Sequence, residues 1–200
     1  MRSKVFSQPY IDLFNTLDLL NYLPSSKPAN STMTRKAVHQ YNYHTWANNR
    51  FFDHLNELPV EVYEKEVESV FPTISEVIAH VYQVDGLWLS VMSGNSFDKT
   101  LTIIDRVKKE SAEKSLVQMQ KLYAELNHDY QTFLDDIDDF ELPITVNHPK
   151  HGSLDTTVAQ LVQHVVNHGT YHRGNITAML RQQGHAGIPN DYIYYLFEMA

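Results

Sequence analysis

Cysteine is absent from the chain of 200 residues. Without cysteine the chain forms no disulfide, no thiolate metal site and no thiol nucleophile, so a transition metal would have to be held by imidazole and carboxylate groups. No stretch approaches the roughly eighteen uncharged apolar residues that a membrane span requires. The formal charge is −8 at pH 7 and lysine and arginine form no block, which disfavours direct binding to nucleic acid because that requires clustered positive charge.

The start of the sequence does not have the pattern of a signal peptide. Arg2 and Lys4 precede an apolar stretch, but Asp12, Asn15 and Asp18 interrupt it and no small-residue cleavage site follows. We therefore expect a cytoplasmic protein.

The first 32 residues differ in character from the rest of the chain. Residues 10–23 place apolar side chains at steps of three and four, which predicts a short amphipathic helix. The Pro-, Ser- and Asn-rich stretch that follows is typical of a linker. We interpret residues 1–32 as a helix and linker, either an arm or a non-native extension, and residues 33–200 as the domain.

Four long helices are predicted within the domain, and they indicate an all-α four-helix bundle. They cover residues 33–58, residues 73–94, a stretch from Arg106 or Ser111 to about Leu134, and a last stretch that ends near Gln183. Residues 142–157 have β-branched side chains around a Pro and Gly turn signal, so we expect a short hairpin or extended loop before the last long helix. The final "NDYIYYLF" predicts a short tail helix.

Capping residues mark the ends of two of these helices. Thr73 and Glu76 have the spacing of a capping box, in which each side chain satisfies a free backbone amide at the helix entrance. Asp155 or Thr156 is expected to cap the last long helix, and Gly184 to follow its end.

The stretch "LVQHVVNHGTYHRGN" holds His164, His168 and His172 at every fourth position. Since residues i and i+4 lie on the same face of a helix, His168 and His172 can bind one ion together. His164 lies roughly 12 Å along the helix axis from His172, too far for all three to share one ion, so one of the three is expected to support the site indirectly. The third ligand should come from another helix, and His80 is the best candidate because it lies on the apolar stripe of the second predicted helix.

The residues alone leave two other interpretations open. A buried histidine is more often a hydrogen-bonded core residue than a metal ligand, and this applies to His80 taken by itself. A protonatable histidine cluster that senses pH is the second alternative. The regular spacing of His168 and His172 favours metal binding over both.

Three stretches carry a resemblance to a known family. "HVVNHGTYHRGNITAMLRQQG" followed by "IPNDY", together with "YNYHTWANNRFFDHL" and "SEVIAHVYQVDGLWL", resembles the DinB-like family of DNA-damage-inducible bacterial proteins. The similarity covers about residues 38–195 and depends mainly on the "NHxxxHRG" core with a separate histidine upstream. Family members commonly have glutamine where this chain has Asn175.

The resemblance implies a four-helix bundle that binds a divalent metal through His80, His168 and His172, and that often forms a homodimer. Imidazole ligands suit zinc, nickel, iron, manganese or copper. We expect zinc or nickel first, with iron or manganese next.

An ion with three nitrogen ligands keeps a coordination position open, which is a feature of catalytic metal sites. Because relatives in this family include thiol-dependent transferases and isomerases, we expect a metal-dependent enzyme with a small-molecule substrate. It would be either a hydrolase or an S-transferase that uses a low-molecular-weight thiol. Weak candidates for catalytic residues are His164, which could orient a ligand or shuttle a proton, and Asp85, which could act as a base. The alternative is a non-catalytic metal-binding stress-response or scaffold protein.

Three other residues near the histidines receive structural predictions. Arg173 is expected to pair with a carboxylate such as Asp191, and Gly174 is expected to permit close contact between helices. His44 is expected to be a surface or core residue, although it lies on the first predicted helix, which could line the pocket.

Overall fold

The computed structural model describes residues 32–148 and 152–200 of the chain. The helices in this part are α1 (Thr32–Asn56), α2 (Glu61–Glu64), α3 (Ile74–Met92), α4 (Phe97–Ser111), α5 (Leu116–Asp136), α6 (Val158–Gln182) and α7 (Tyr192–Glu198), and the strands are β1 (Pro143–His148) and β2 (Gly152–Thr157). The predicted N-terminal helix over residues 10–23 lies outside the described residues. Within residues 32–148 and 152–200, no helix combines the length and the apolar character needed to cross a membrane.

The four long helices α1, α3, α5 and α6 form the bundle. α6 packs against both α1 and α3, and α5 packs against the same two helices, so each helix has two neighbours around the core. Each helix contributes at least one large side chain that is almost completely buried: Tyr41, Ile74, Tyr130 and Met179. The predicted all-α four-helix bundle is therefore confirmed.

The third predicted helix is wrong in its extent, because the chain divides that region into α4 and α5. The prediction began within α4 and continued without a break, whereas α4 ends at Ser111 and α5 begins at Leu116. Glu113 lies between them with a φ of 53°, a left-handed conformation through which a right-handed helix does not continue. Ser115 then starts α5 with a capping box, which it forms with Gln118.

Three further helices pack on the outside of the bundle. α2 and α4 both pack against α3, and α7 packs against α1. At the end of α7, Glu198 accepts hydrogen bonds from Trp46 and Arg50, each at 2.7 Å. The predicted tail helix is confirmed, while α2 and the separate α4 were not predicted.

A β-hairpin precedes α6, as one of the two predicted alternatives stated. β1 and β2 pair antiparallel, with Pro143 opposite Thr157 at the open end. The turn residues 149–151 lie outside the described residues. The predicted cap of α6 at Asp155 or Thr156 is wrong, because β2 extends to Thr157 and α6 begins only at Val158. Thr157 is the cap, and its side chain accepts a hydrogen bond from the backbone N–H of Gln160 at 3.3 Å.

Candidate metal site

Three histidines from two helices of the bundle meet at one point. His80 lies on α3, and His168 and His172 lie one turn apart on α6. One nitrogen from each ring lies within 4.8 Å of the others, and the Nε2 atoms of His80 and His168 are 3.3 Å apart. Two nitrogens bound at about 2.0–2.1 Å to one tetrahedral zinc ion would be roughly 3.3–3.4 Å apart. The donor set therefore fits a divalent metal ion.

The local sequence directs these rings into the bundle. The inward stripe of α6 follows three- and four-residue steps through Leu161, Val165, His168, His172, Ile176 and Met179, all of them buried. On α3, Thr73 fixes the helix start by accepting a hydrogen bond from the backbone N–H of Glu76 at 3.2 Å. The half-buried His80 follows two turns later, on a helix whose buried residues are mainly apolar.

Asn175 sets which nitrogen of His172 is available to an ion. The side-chain nitrogen of Asn175 lies 3.3 Å from Nδ1 of His172, which leaves Nε2 for a metal. Binding through Nε2 places a proton on Nδ1, and a half-turn of the Asn175 amide would offer its oxygen to that proton. The asparagine is therefore long enough to orient the ligand ring.

The surroundings of the three rings favour the neutral imidazole. Burial first, and then the neighbouring His172 and His80, lower the pKa of His168 to about 2. Burial and the neighbouring His80 lower the pKa of His172 to about 4. Burial also lowers the pKa of His80. Because a metal ion binds the lone pair of a neutral imidazole, these shifts keep the rings ready for an ion at neutral pH.

His164 lies one turn before His168 on α6 and is not a member of the close group. Its ring centroid is 6.2 Å from that of His168 and 4.9 Å from that of Trp88. Its Nε2 atom has no hydrogen-bond partner among the described residues. The role of His164 in orienting a ligand or shuttling a proton stays a prediction.

A cavity of about 840 Å³ lies against the histidines. His80 and His172 line this cavity, whereas the 6 % exposed His168 is not among the lining residues. Phe71 also lines it, with its ring centroid 5.0 Å from that of His80 and 5.6 Å from that of His172. Part of the wall comes from α4, which contributes Ile104. The volume is in the range that holds a small organic molecule.

Asp85 belongs to a second buried cluster, which joins α3, α1 and α6. Its Oδ2 lies 2.9 Å from Nε2 of His44, while Nδ1 of His44 lies 3.3 Å from Nη1 of Arg173. Because a guanidinium only donates, Nδ1 is the acceptor and Nε2 carries the proton. The side-chain nitrogen of Asn48 also lies 3.0 Å from Nε2, so the proton goes to Asp85, which is the acceptor of the two neighbours. Arg173 also donates to Oδ1 of Asn48 at 2.8 Å and to Oγ1 of Thr170 at 2.9 Å.

The prediction for Arg173 is wrong, whereas His44 is a core residue, one of the two positions predicted for it. Arg173 does not pair with Asp191, because its position on α6 faces α1 and its side chain is 3 % exposed inside the bundle. His44 does not line the cavity, since its ring is completely buried between α1, α3 and α6. The four-residue spacing of His44 and Asn48 on α1 is the signal that could have pointed to a polar cluster.

The close helix contact predicted at Gly174 occurs at Gly169 instead. A methyl group on Gly174 would have no atom within 4 Å, whereas a methyl group on Gly169 would lie 2.6 Å from Nδ1 of His44. Gly169 therefore lets the His44 ring approach the α6 backbone between the two ligand positions His168 and His172.

The fold and the site define an α-helical bundle with a candidate three-histidine metal centre. A sequence model of the DinB family matches residues 33–199. The chain is also 44 % identical over 165 residues to the protein "Protein DinB" of Bacillus subtilis (strain 168), an alignment that covers 82 % of this chain and 96 % of that relative. The chain belongs to the DinB family.

Proposed function

We propose that this chain is a metal-dependent enzyme that acts on a small molecule, with a divalent ion held by His80, His168 and His172. The observation that supports the proposal is the position of the three rings. Their nitrogens lie within 4.8 Å of one another, and two of the rings border a cavity of about 840 Å³. Zinc or nickel is the expected ion, with iron or manganese next.

Access to the site favours catalysis over a purely structural ion. In the part of the chain that the structure describes, the cluster has three candidate ligands and no fourth histidine or carboxylate. Structural zinc sites are closed by four protein ligands, whereas catalytic sites keep one position for water or substrate. The cavity beside His80 and His172 gives a small molecule a route to such a position.

Two reactions fit this arrangement, transfer of a low-molecular-weight thiol and hydrolysis. A bound divalent ion would supply a Lewis acid that lowers the pKa of a thiol or of water. In the transfer, the thiol gives its proton to solvent, its sulfur forms a bond to an electrophilic carbon, and the leaving group departs with the electrons of the broken bond. In hydrolysis, a water oxygen forms the new bond in place of sulfur.

The rest of the cavity wall suits a substrate with both apolar and charged groups. Val84, Leu87 and Ile104 supply apolar surface, and Lys108 and Lys114 supply positive charge. Three exposed carboxylates also line the cavity: Glu64, Glu76 and Glu113. Substrate binding would combine packing against the apolar wall with pairing of charges.

Neither sequence candidate for proton transfer borders the cavity. We therefore propose indirect roles for both. His164 would help to hold the His168 ring, against which it stacks. Asp85 would act indirectly through His44, with which its carboxylate forms a hydrogen bond.

Two further proposals depend on the family and on the sequence pattern. The chain is proposed to form a homodimer in solution, which light scattering of the purified protein would test. A cytoplasmic location stays a prediction.

Elemental analysis of the purified protein tests the metal proposal. The unaltered chain should contain close to one zinc or nickel ion per chain, and His168→Ala should lose most of it because one of three ligands is removed. His128→Ala is the matched control, since His128 is exposed on α5, and it should keep the metal. Equal metal content in all three proteins would contradict the ligand assignment.

A panel of small thiols combined with carbon electrophiles, and a second panel of hydrolysable esters and amides, tests the enzyme proposal. Turnover by the metal-loaded protein, lost in His168→Ala, is the expected result. A metal-loaded protein that turns over neither panel would favour the alternative, a non-catalytic metal-binding stress-response or scaffold protein.

A further inference from the structure

We propose that Arg173, His44 and Asp85 are positioning residues that fix the separation of the two helices carrying the candidate metal ligands. We name these three residues the buried brace. The proposal rests on the proposed metal function, because it concerns what holds the ligands in place. Arg173 directly follows His172 on α6, and Asp85 comes five residues after His80 on α3.

The buried brace connects α6 to α3 through α1. Nη1 of Arg173 lies 3.3 Å from Nδ1 of His44, and Nε2 of the same ring lies 2.9 Å from Oδ2 of Asp85. The fourth bundle helix joins at this level, because the hydroxyl of Tyr130 donates to the backbone carbonyl of Asp85 at 2.7 Å. A shift of α6 relative to α3 would therefore break at least one buried hydrogen bond.

The His44 ring also touches α6 at the turn that carries the ligands. Gly169 lies between His168 and His172, and a methyl group there would lie 2.6 Å from Nδ1 of His44. The His44 ring thus contacts the backbone of α6 directly, because Gly169 has no side chain that would keep the ring at a distance. Direct contact sets how far α6 lies from α1, while the hydrogen bonds set its position along the bundle.

The energetics of burial support a positioning role. His44, Asp85 and Arg173 are 0 %, 2 % and 3 % exposed. Buried ion pairs and triads can often be replaced by apolar side chains without loss of stability, so stability alone does not explain such a cluster. Hydrogen bonds have direction, and a fully packed polar network favours one arrangement of helices over others. Metal ligands need a fixed arrangement of the helices that carry them, because they work only when held within roughly 0.5 Å of the required geometry.

Zinc affinity of matched variants tests the proposal, measured by competition with a chromophoric chelator. Asp85→Leu removes the acceptor for His44, whereas Asp85→Asn keeps a side-chain oxygen at the same position. Arg173→Met removes the guanidinium and keeps most of the stem, and Arg181→Met removes an exposed arginine of the same helix. We expect affinity to fall about 10- to 100-fold in Asp85→Leu and Arg173→Met, the range known for residues that orient metal ligands. Asp85→Asn and Arg181→Met should stay close to the unaltered chain.

The visible spectrum of the cobalt(II)-substituted protein is the second readout, because it reports the geometry of the ligands and not the stability of the fold. It should change in Asp85→Leu and Arg173→Met. If these two variants do not fold, Asn48→Ala takes their place, since it removes the contacts of Asn48 with Arg173 and His44 and leaves the three residues of the buried brace unchanged. Its zinc affinity should also fall.

Two results would overturn the proposal. The first is a folded Asp85→Leu, Arg173→Met or Asn48→Ala variant with unchanged zinc affinity and an unchanged cobalt spectrum, even if its unfolding midpoint is lower. The second is an unaltered chain that binds no divalent ion, which overturns the metal function as well. The first result overturns the buried brace alone.

Discussion

The bundle contains two groups of buried histidines, and they differ in what surrounds each ring. His44 is fully enclosed, with the carboxylate of Asp85 beside one nitrogen and the guanidinium of Arg173 beside the other. His168 and His172 are almost as deeply buried, at 6 % and 4 % exposure. Their closest aromatic neighbours, however, are each other, with ring centroids 4.4 Å apart, and the third histidine of the group.

The difference shows that burial alone does not tell a structural histidine from a candidate ligand. An imidazole placed between one acceptor and one donor has both nitrogens satisfied by the protein. Imidazoles that face each other oppose each other's protonation, as the lowered pKa of His168 reflects. One nitrogen of each ring lies within 4.8 Å of the others, which is the closeness that binding of one ion requires.

Replacing a histidine of each group with leucine should give the largest difference in the free energy of unfolding. His44→Leu leaves Asp85 and Arg173 buried without the ring between them, and we expect it to lower the free energy of unfolding by about 3–5 kcal/mol. In the metal-free protein, His168→Leu replaces a neutral, desolvated ring and should leave the free energy of unfolding unchanged or higher. Urea unfolding in the presence of a chelator measures both. A similar loss in the two variants would remove the distinction between the two groups.

The stability of the metal-free protein should depend on pH through His168 and His172. In the unfolded chain, His168 and His172 take up protons near pH 6.5, whereas the folded protein resists this until about pH 4 for His172 and about pH 2 for His168. The unfolded state therefore binds more protons, and stability falls as the pH drops from about 6.5 toward 4. The slope approaches about 1.4 kcal/mol per pH unit for each histidine.

Urea unfolding at a series of pH values, with chelator present, measures this slope. The double variant His168→Leu with His172→Leu is the control, and its stability should change less steeply over the same range. Identical slopes for the variant and the unaltered chain would show that the two rings are not held neutral in the folded state.

Alanine substitutions at two glycines of α6 should give the smallest difference in the free energy of unfolding. Gly169→Ala pushes a methyl group into the His44 ring and should lower the free energy of unfolding by about 1–3 kcal/mol. Gly174→Ala enters open space within a helix and should raise it by up to about 1 kcal/mol. Thermal unfolding of the two single variants measures both changes. A loss at Gly174 as large as that at Gly169 would contradict the close approach of His44 to α6.

Local patterns of the sequence were enough to predict the features that depend on neighbouring residues. The cap at Thr73 and the apolar spacing along α6 act within a few residues, so these two helices could be predicted. The return hydrogen bond of the predicted capping box, from the Glu76 side chain to the backbone of Thr73, does not form. The spacing along α6 also placed His168 and His172 on one face. The choice of His80 came from its place in an apolar stripe together with the family resemblance.

Features that depend on distant residues were missed for a physical reason. His44 and Asp85 are 41 positions apart, and His44 and Arg173 are 129 apart, so no local pattern relates them. The cap of α6 moved to Thr157 because strand pairing with β1 extends farther than the residue types suggest. The break between α4 and α5 depends on the left-handed conformation of Glu113, which an apolar period does not reveal.

The break before α5 has a consequence for the wall of the cavity. It makes α4 a separate helix that packs along α3, so that Ile104 and Lys108 border the cavity while the histidines come from other helices. Residues of α4 thus shape part of the cavity wall without supplying any of the three candidate metal ligands.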